Sequence, residues 1–172
     1  MSLADGAGPT ILNVDDNEGI RYLRSRILTD AGYRVIEAGT GEDALLLAKS
    51  LLPGLMVLDV NLPGMDGLEV CRQIKQSPDT AHIMVIQVSS AASAALEAAT
   101  CHDGGADGLL LEPIERLELV GMVRALLRLA GREADTRRLV ERHSRLERHF
   151  AEATEAADCG IWDWEIRTGK LE

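Results

Sequence analysis

Aromatic residues are scarce in this 172-residue chain, which has one Phe, two Trp and two Tyr although 46% of it is hydrophobic. The core is therefore aliphatic, and the hydrophobic share is too large for a disordered chain. Cysteine is scarce as well. Cys71, Cys101 and Cys159 are far apart, odd in number and without a Cys-x-x-Cys pair, which argues against a disulfide framework or a zinc site and for a reduced, cytoplasmic protein. No apolar run approaches the roughly 20 residues that cross a bilayer, so no membrane contact is expected. Nor is a secretory leader expected, since no basic residue precedes Arg21 and no apolar stretch opens the chain. Positive charge is in deficit, with 18 Lys and Arg against 28 Asp and Glu and a net charge of −10. This balance argues against nucleic acid as a direct partner, because affinity there comes mainly from cations meeting phosphates.

The length suits one compact domain and an appendage. Charge divides along the same line: residues 1–130 carry 18 acids and 10 bases, residues 131–172 carry 10 and 8. Residues 1–8 read as a flexible lead-in. From residue 9 to residue 130, apolar runs alternate with helical patterns. The runs are Ile11 to Val14, Arg34 to Ala38, Leu55 to Leu58, Ile83 to Val88 and Gly108 to Leu111. Between them, helical spacing joins Ile20, Leu23, Ile27 and Ala31, then Ala44, Leu47, Ala48 and Leu51, then Leu68, Cys71 and Ile74, then an alanine-rich stretch from Ala91 to Ala99. Leu119, Met122, Val123, Leu126, Leu127 and Ala130 complete the cleanest amphipathic helix. Such alternation predicts an α/β fold whose parallel sheet is covered by helices on both faces.

The ends of the runs carry the chemistry. The first ends in Asp15-Asp16, the third in Asp59, the fourth in Ser89-Ser90 and the fifth in Glu112-Pro113. Parallel strands bring their C-terminal ends to one edge, where open α/β sheets bind ligands. In the strand order 2-1-3-4-5, Asp59 faces the Asp15-Asp16 pair across the switch point, with a hydroxyl nearby. One strand-end Asp alone reads as a helix N-cap or turn residue; three at adjacent strand ends read better as a site. Clustered carboxylates repel unless a proton or cation sits among them. Oxygen-only ligands favour Mg²⁺ or Mn²⁺, and such a metal can neutralise a phosphoryl group passing to a carboxylate nucleophile.

Val14-Asp15-Asp16-Asn17 and the run Leu58-Asp59-Val60-Asn61-Leu62-Pro63-Gly64-Met65-Asp66-Gly67 resemble the acidic pair and the phosphoacceptor loop of response-regulator receiver domains. The resemblance covers roughly residues 9–130. It implies a flavodoxin-like (βα)5 three-layer sandwich and a role in two-component phosphorelay signalling, with a histidine kinase or phosphotransfer domain as phosphoryl donor. It further implies that Asp59 is the phosphorylated residue, that Asp15, Asp16, Asp59 and the Asn61 main-chain carbonyl hold Mg²⁺, and that Ser89 supplies the switch hydroxyl. Pro63, Gly64 and Gly67 shape the loop and start the next helix.

Two positions depart from that family pattern. Glu112 stands where the family has a lysine, and Leu109 where it has an aromatic switch residue. Like charges a few ångströms apart at an effective dielectric of about 20 cost on the order of 4 kcal/mol, so a carboxylate beside a phosphoryl group needs an answer. Glu112 turns outward into solvent, or a cation from elsewhere compensates, or phosphorylation is weak or absent. The last leaves a rival, a degenerate pseudo-receiver used for docking or dimerisation. A Mg²⁺-dependent phosphohydrolase is a further rival, although Asp59-Val60-Asn61 lacks the second acid such enzymes commonly use.

The tail differs in character. Leu139, His143, Leu146, Phe150, Ala153 and Ala157 are spaced four and three apart, a short seam through a helical linker of residues 131–158. That helix either pairs with a second copy or lies solvated on its own domain. Cys159-Gly160 is expected to stop it. Gly160 to Ile166 and the Thr168-Gly169 turn resemble the start of a PAS sensor domain over residues 159–172. A receiver, a linker and a PAS domain together resemble the N-terminal part of a multidomain sensor histidine kinase. No kinase motif accompanies His143 or His149, and His82 and His102 read as solvated.

Overall fold

The computed structural model describes residues 9–90 and 105–156, together with 164–165 and 170–171. The elements are β1 (Thr10–Val14), α1 (Glu18–Asp30), β2 (Arg34–Ala38), α2 (Gly41–Leu51), β3 (Leu55–Asp59), α3 (Gly67–Gln76), β4 (Met84–Ser90), β5 (Gly108–Glu112), α4 (Arg116–Ala156), β6 (Trp164–Glu165) and β7 (Lys170–Leu171). Strands β1 to β5 form one parallel sheet, as the alternating pattern predicts, in the order β2-β1-β3-β4-β5 that the receiver resemblance implies. The alanine-rich stretch from Ala91 to Ala99 lies outside the described residues.

Side chains alternate across the sheet because successive Cβ atoms of a strand point to opposite faces. On one face Leu12, Val14, Met56, Leu58 and Val85 pack with α2 and α3 through Ala44, Ala48, Val70, Cys71 and Ile74. On the other, Ile11, Leu55, Val57, Ile86, Val88 and Leu110 meet Leu28 of α1 and Leu119, Val123 and Leu126 of α4. Helix starts are capped by side chains: Asn17 accepts from the Gly19 and Ile20 amides, Thr40 from Asp43 and Asp66 from Glu69. These caps lie in the loops that follow β1, β2 and β3, so they also fix the edge of the sheet where the acids gather.

The buried face of α1 differs from the periodicity-based expectation. Leu23 is 60% exposed and Ile20 is exposed too, whereas Arg24, Ser25 and Leu28 are buried. Buried Asn13 of β1 explains the rotation: its amide donates to the Arg21 carbonyl at 2.8 Å and to Ser25 Oγ at 2.9 Å, turning a polar row of α1 toward the sheet. Ile20, Leu23 and Ile27 instead line a cleft of about 440 Å³ with Pro113, Ile114 and Leu119. Strand β4 also runs further than expected. Ser89 lies inside it, buried and in register with Leu111, rather than in the loop beyond.

The chain divides into two units, residues 1–131 and 132–172. The first holds the five-stranded sheet. In the second, α4 carries Leu139, Val140 and Leu146 exposed, and β6 pairs antiparallel with β7 through Trp164–Leu171 and Glu165–Lys170.

Candidate functional site

Strands β1 and β3 are hydrogen-bonded neighbours, so their C-terminal ends place Asp15, Asp16 and Asp59 together. One carboxylate oxygen from each lies within 4.8 Å of the others. Asp15 is buried, Asp59 half-buried and Asp16 exposed. An all-oxygen donor set open to water on one side fits a hard, octahedral cation that retains part of its hydration shell. Burial is the main reason that the Asp59 carboxyl is pushed up to about 6; the Asp15 charge adds to it, Arg24 and the Asn61 amide pull the other way, and Glu112 pushes again. Asp15 is likewise raised, first by burial, against the pull of Arg24 and the Asn17 amide, with Asp16 and Glu112 adding to the push. Asp15 and Asp59 thus both resist ionising, which is the condition a divalent cation relieves.

The loop after β3 is held by backbone. The Gly67 amide donates to the Val60 carbonyl at 2.9 Å, and the Val60 amide to the Val88 carbonyl at 3.0 Å. Gly64 has φ +80, the left-handed region that glycine tolerates, next to exposed Pro63. Asn61 is exposed, and its main-chain N–H bonds Asp59. The Ser89 hydroxyl donates to the Ser90 carbonyl at 3.1 Å. Leu109 is half-buried on β5, in register with Gln87.

Glu112 does not turn outward. Arg24 Nη2 donates to Asp15 Oδ2 at 2.5 Å and to Glu112 Oε1 at 3.2 Å, so one guanidinium on α1 bridges the ends of β1 and β5. Of the answers the sequence left open, the structure departs from the outward-turned Glu112 and supplies a cation from elsewhere, Arg24, against its carboxylate. The neighbouring Arg21 donates from Nη1 to the Asp15 carbonyl at 2.6 Å and pairs with Glu37. Neither arginine stands out in the sequence, because the apolar spacing of Ile20, Leu23 and Ile27 draws attention to another face. The signal that could have found Arg24 is Glu112 itself, an unanswered acid at a strand end, together with a basic residue about two turns into the first helix.

The family model for the response regulator receiver domain matches residues 11–124. The chain is 36% identical over 126 residues to the transcriptional regulatory protein AfsQ1 of Streptomyces coelicolor, covering 73% of this chain and 54% of that protein. It is 42% identical over 118 residues to the response regulator MprA of Mycolicibacterium vanbaalenii, covering 69% of this chain and 50% of that one. It thus spans about half the length of these regulators. Among solved structures, the signal receiver domain of a signal transduction histidine kinase from Syntrophus aciditrophicus superposes with a TM-score of 0.66 at 29% identity, over 70% of this chain and 91% of that one. The chemotaxis protein CheY4 of Vibrio cholerae gives 0.65 at 27% identity, over 70% of this chain and 99% of that one.

Proposed function

The chain belongs to the response regulator receiver family of two-component phosphorelay signalling, and from that premise we propose that Asp59 accepts a phosphoryl group from the phosphohistidine of a histidine kinase or phosphotransfer domain. The observation that carries the reading is the convergence of Asp15, Asp16 and Asp59 within 4.8 Å at the C-terminal edge of the sheet. In the transfer, a P–O bond forms to the Asp59 carboxylate as the donor's P–N bond breaks; the imidazole nitrogen keeps the bonding pair and takes up a proton. Asp15, Asp16, Asp59 and the Asn61 carbonyl are the groups that would hold Mg²⁺, which supplies charge neutralisation for the phosphoryl oxygens. The Asn61 amide, bonded to Asp59, orients the nucleophile. Ser89, next along the chain from Val88, the register partner of Asp59, is the hydroxyl within the sheet assigned to the phosphoryl group.

The test is uptake of phosphate from acetyl phosphate in Mg²⁺, read by mass spectrometry. Wild type is expected to gain one phosphoryl group and Asp59→Asn none; an unmodified wild type sinks the reading. A second reading, a pseudo-receiver used for docking, is favoured by Glu112 and Leu109 at the two atypical positions. It expects Asp59→Asn to leave partner affinity unchanged under phosphorylating conditions.

The same proposal extends along the chain. Residues 131–158 act as a helical linker to attached sensor or kinase modules, a reading supported by the unbroken run of α4 to Ala156. Residues 159–172 begin a PAS-like domain, supported by the β6–β7 pairing around Trp164. The similar Syntrophus aciditrophicus receiver, part of a histidine kinase, favours a kinase context. No described helix is long and apolar enough to cross a membrane. Output is assigned to protein contacts, because 18 acids against 10 bases in residues 1–130 is the wrong balance for phosphate-backbone contacts.

A further inference from the structure

Among the described residues of the site, the Arg24 guanidinium is left with a buried donor unspent. Its side chain is 5% exposed, and Nη2 already serves both Asp15 and Glu112. Nη1 is buried and has no hydrogen-bond partner among the described residues. A guanidinium has five N–H donors in a planar fork, and leaving a buried one unspent is costly unless an acceptor arrives there. The acceptor that this site would receive is a phosphoryl group, whose oxygens match the planar fork of a guanidinium.

We propose that Arg24, carried on α1, is the cation that binds the phosphoryl group on Asp59, and that Glu112 is the positioning residue that holds it there in place of a lysine on β5. The proposal rests on the reading of Asp59 as phosphoacceptor. Its geometry is a charge exchange between two elements. A lysine at 112 would set two cations side by side, whereas Glu112 completes a chain from Asp15 through Arg24 to the end of β5. Asp15 alone does not account for Glu112, a strand-end acid that would otherwise face solvent and add a fourth negative charge to the crevice. The side chain of Glu112 is 35% exposed, so it can follow Arg24 when the guanidinium shifts toward a phosphoryl oxygen. Arg24 is also close enough to Asp59 to draw its carboxyl downward against the effect of burial.

Beryllofluoride, which occupies a phosphoryl position on an aspartate, is the probe, titrated in saturating Mg²⁺ against the full chain. Arg24→Gln is expected to weaken beryllofluoride binding at least tenfold while leaving Mg²⁺ affinity, measured alone by calorimetry, unchanged or tighter, because Asp15 loses a competing cation. The double variant Arg24→Gln/Glu112→Lys, with the cation returned to β5, is expected to recover binding to within a few-fold of wild type. A merely structural Arg24 gives no such rescue. Arg24→Gln binding as tightly as wild type, or a double variant no better than Arg24→Gln, overturns the proposal while leaving Asp59 in its role. A wild type that takes up no beryllofluoride overturns both. If Arg24→Gln does not fold, wild type itself decides: the Arg24 side-chain ¹⁵N resonances shift on adding beryllofluoride to the Mg²⁺ form, and resonances that stay in place refute the contact.

Discussion

At the scale of single residues, the site is an electrostatic compromise that can be read by pH. Asp59, raised to about 6 in the folded protein from an ordinary value of 3.8, holds a proton where the unfolded chain has released it. Its contribution to stability is therefore fully present below about 3.8 and is lost as pH rises through about 6. Asp59→Asn removes that pH-dependent contribution. In chelator, the variant should melt higher than wild type at pH 8, with the gap closing as pH falls below 5; a gap that does not change with pH would count against a strained Asp59. Adding Mg²⁺ at pH 8 should stabilise wild type more than the variant, because binding to the folded state alone raises its stability. The three acids are legible in the sequence because strand ends and topology bring them together. Arg24 is not, since its partner Glu112 lies 88 positions away along the chain.

At the scale of elements, the loop between β3 and α3 is a backbone device. A Cβ on Gly67 would collide with the Asp59 carbonyl oxygen and lie 2.8 Å from the Val60 Cα, so α3 starts in contact with the end of the strand that carries Asp59. Gly67→Ala should cost about 1–3 kcal/mol in urea unfolding, the usual range for overpacking, and should weaken Mg²⁺ binding because Asp59 is displaced. Gly121→Ala on α4 is the control. A Cβ there meets nothing within 4 Å, and the change is expected to be neutral or to stabilise by up to about 1 kcal/mol. Element existence follows from periodicity, and four of the strand ends fall within one residue of the apolar runs. The face of α1 does not follow, because buried Asn13 and the acids at the sheet edge outweigh the apolar stripe that hydropathy alone would bury.

At the scale of the whole molecule, two units share one chain, and the second carries exposed apolar positions along α4. Leu139 is 68% and Leu146 60% exposed on α4, at the spacing of a seam. If that seam pairs copies, the full chain should sediment as a dimer and a chain ending at Ala130 as a monomer; an oligomer that survives truncation places the interface on the receiver unit. The sequence by itself determined the α/β alternation, the parallel sheet and the identity of the acids at its edge, because strand periodicity and local loop chemistry act over a few neighbouring residues. Only the tertiary structure decided what answers Glu112. That depends on the rotation of α1 about its axis, which is set by contacts between β1, α1 and β5 that no local pattern encodes.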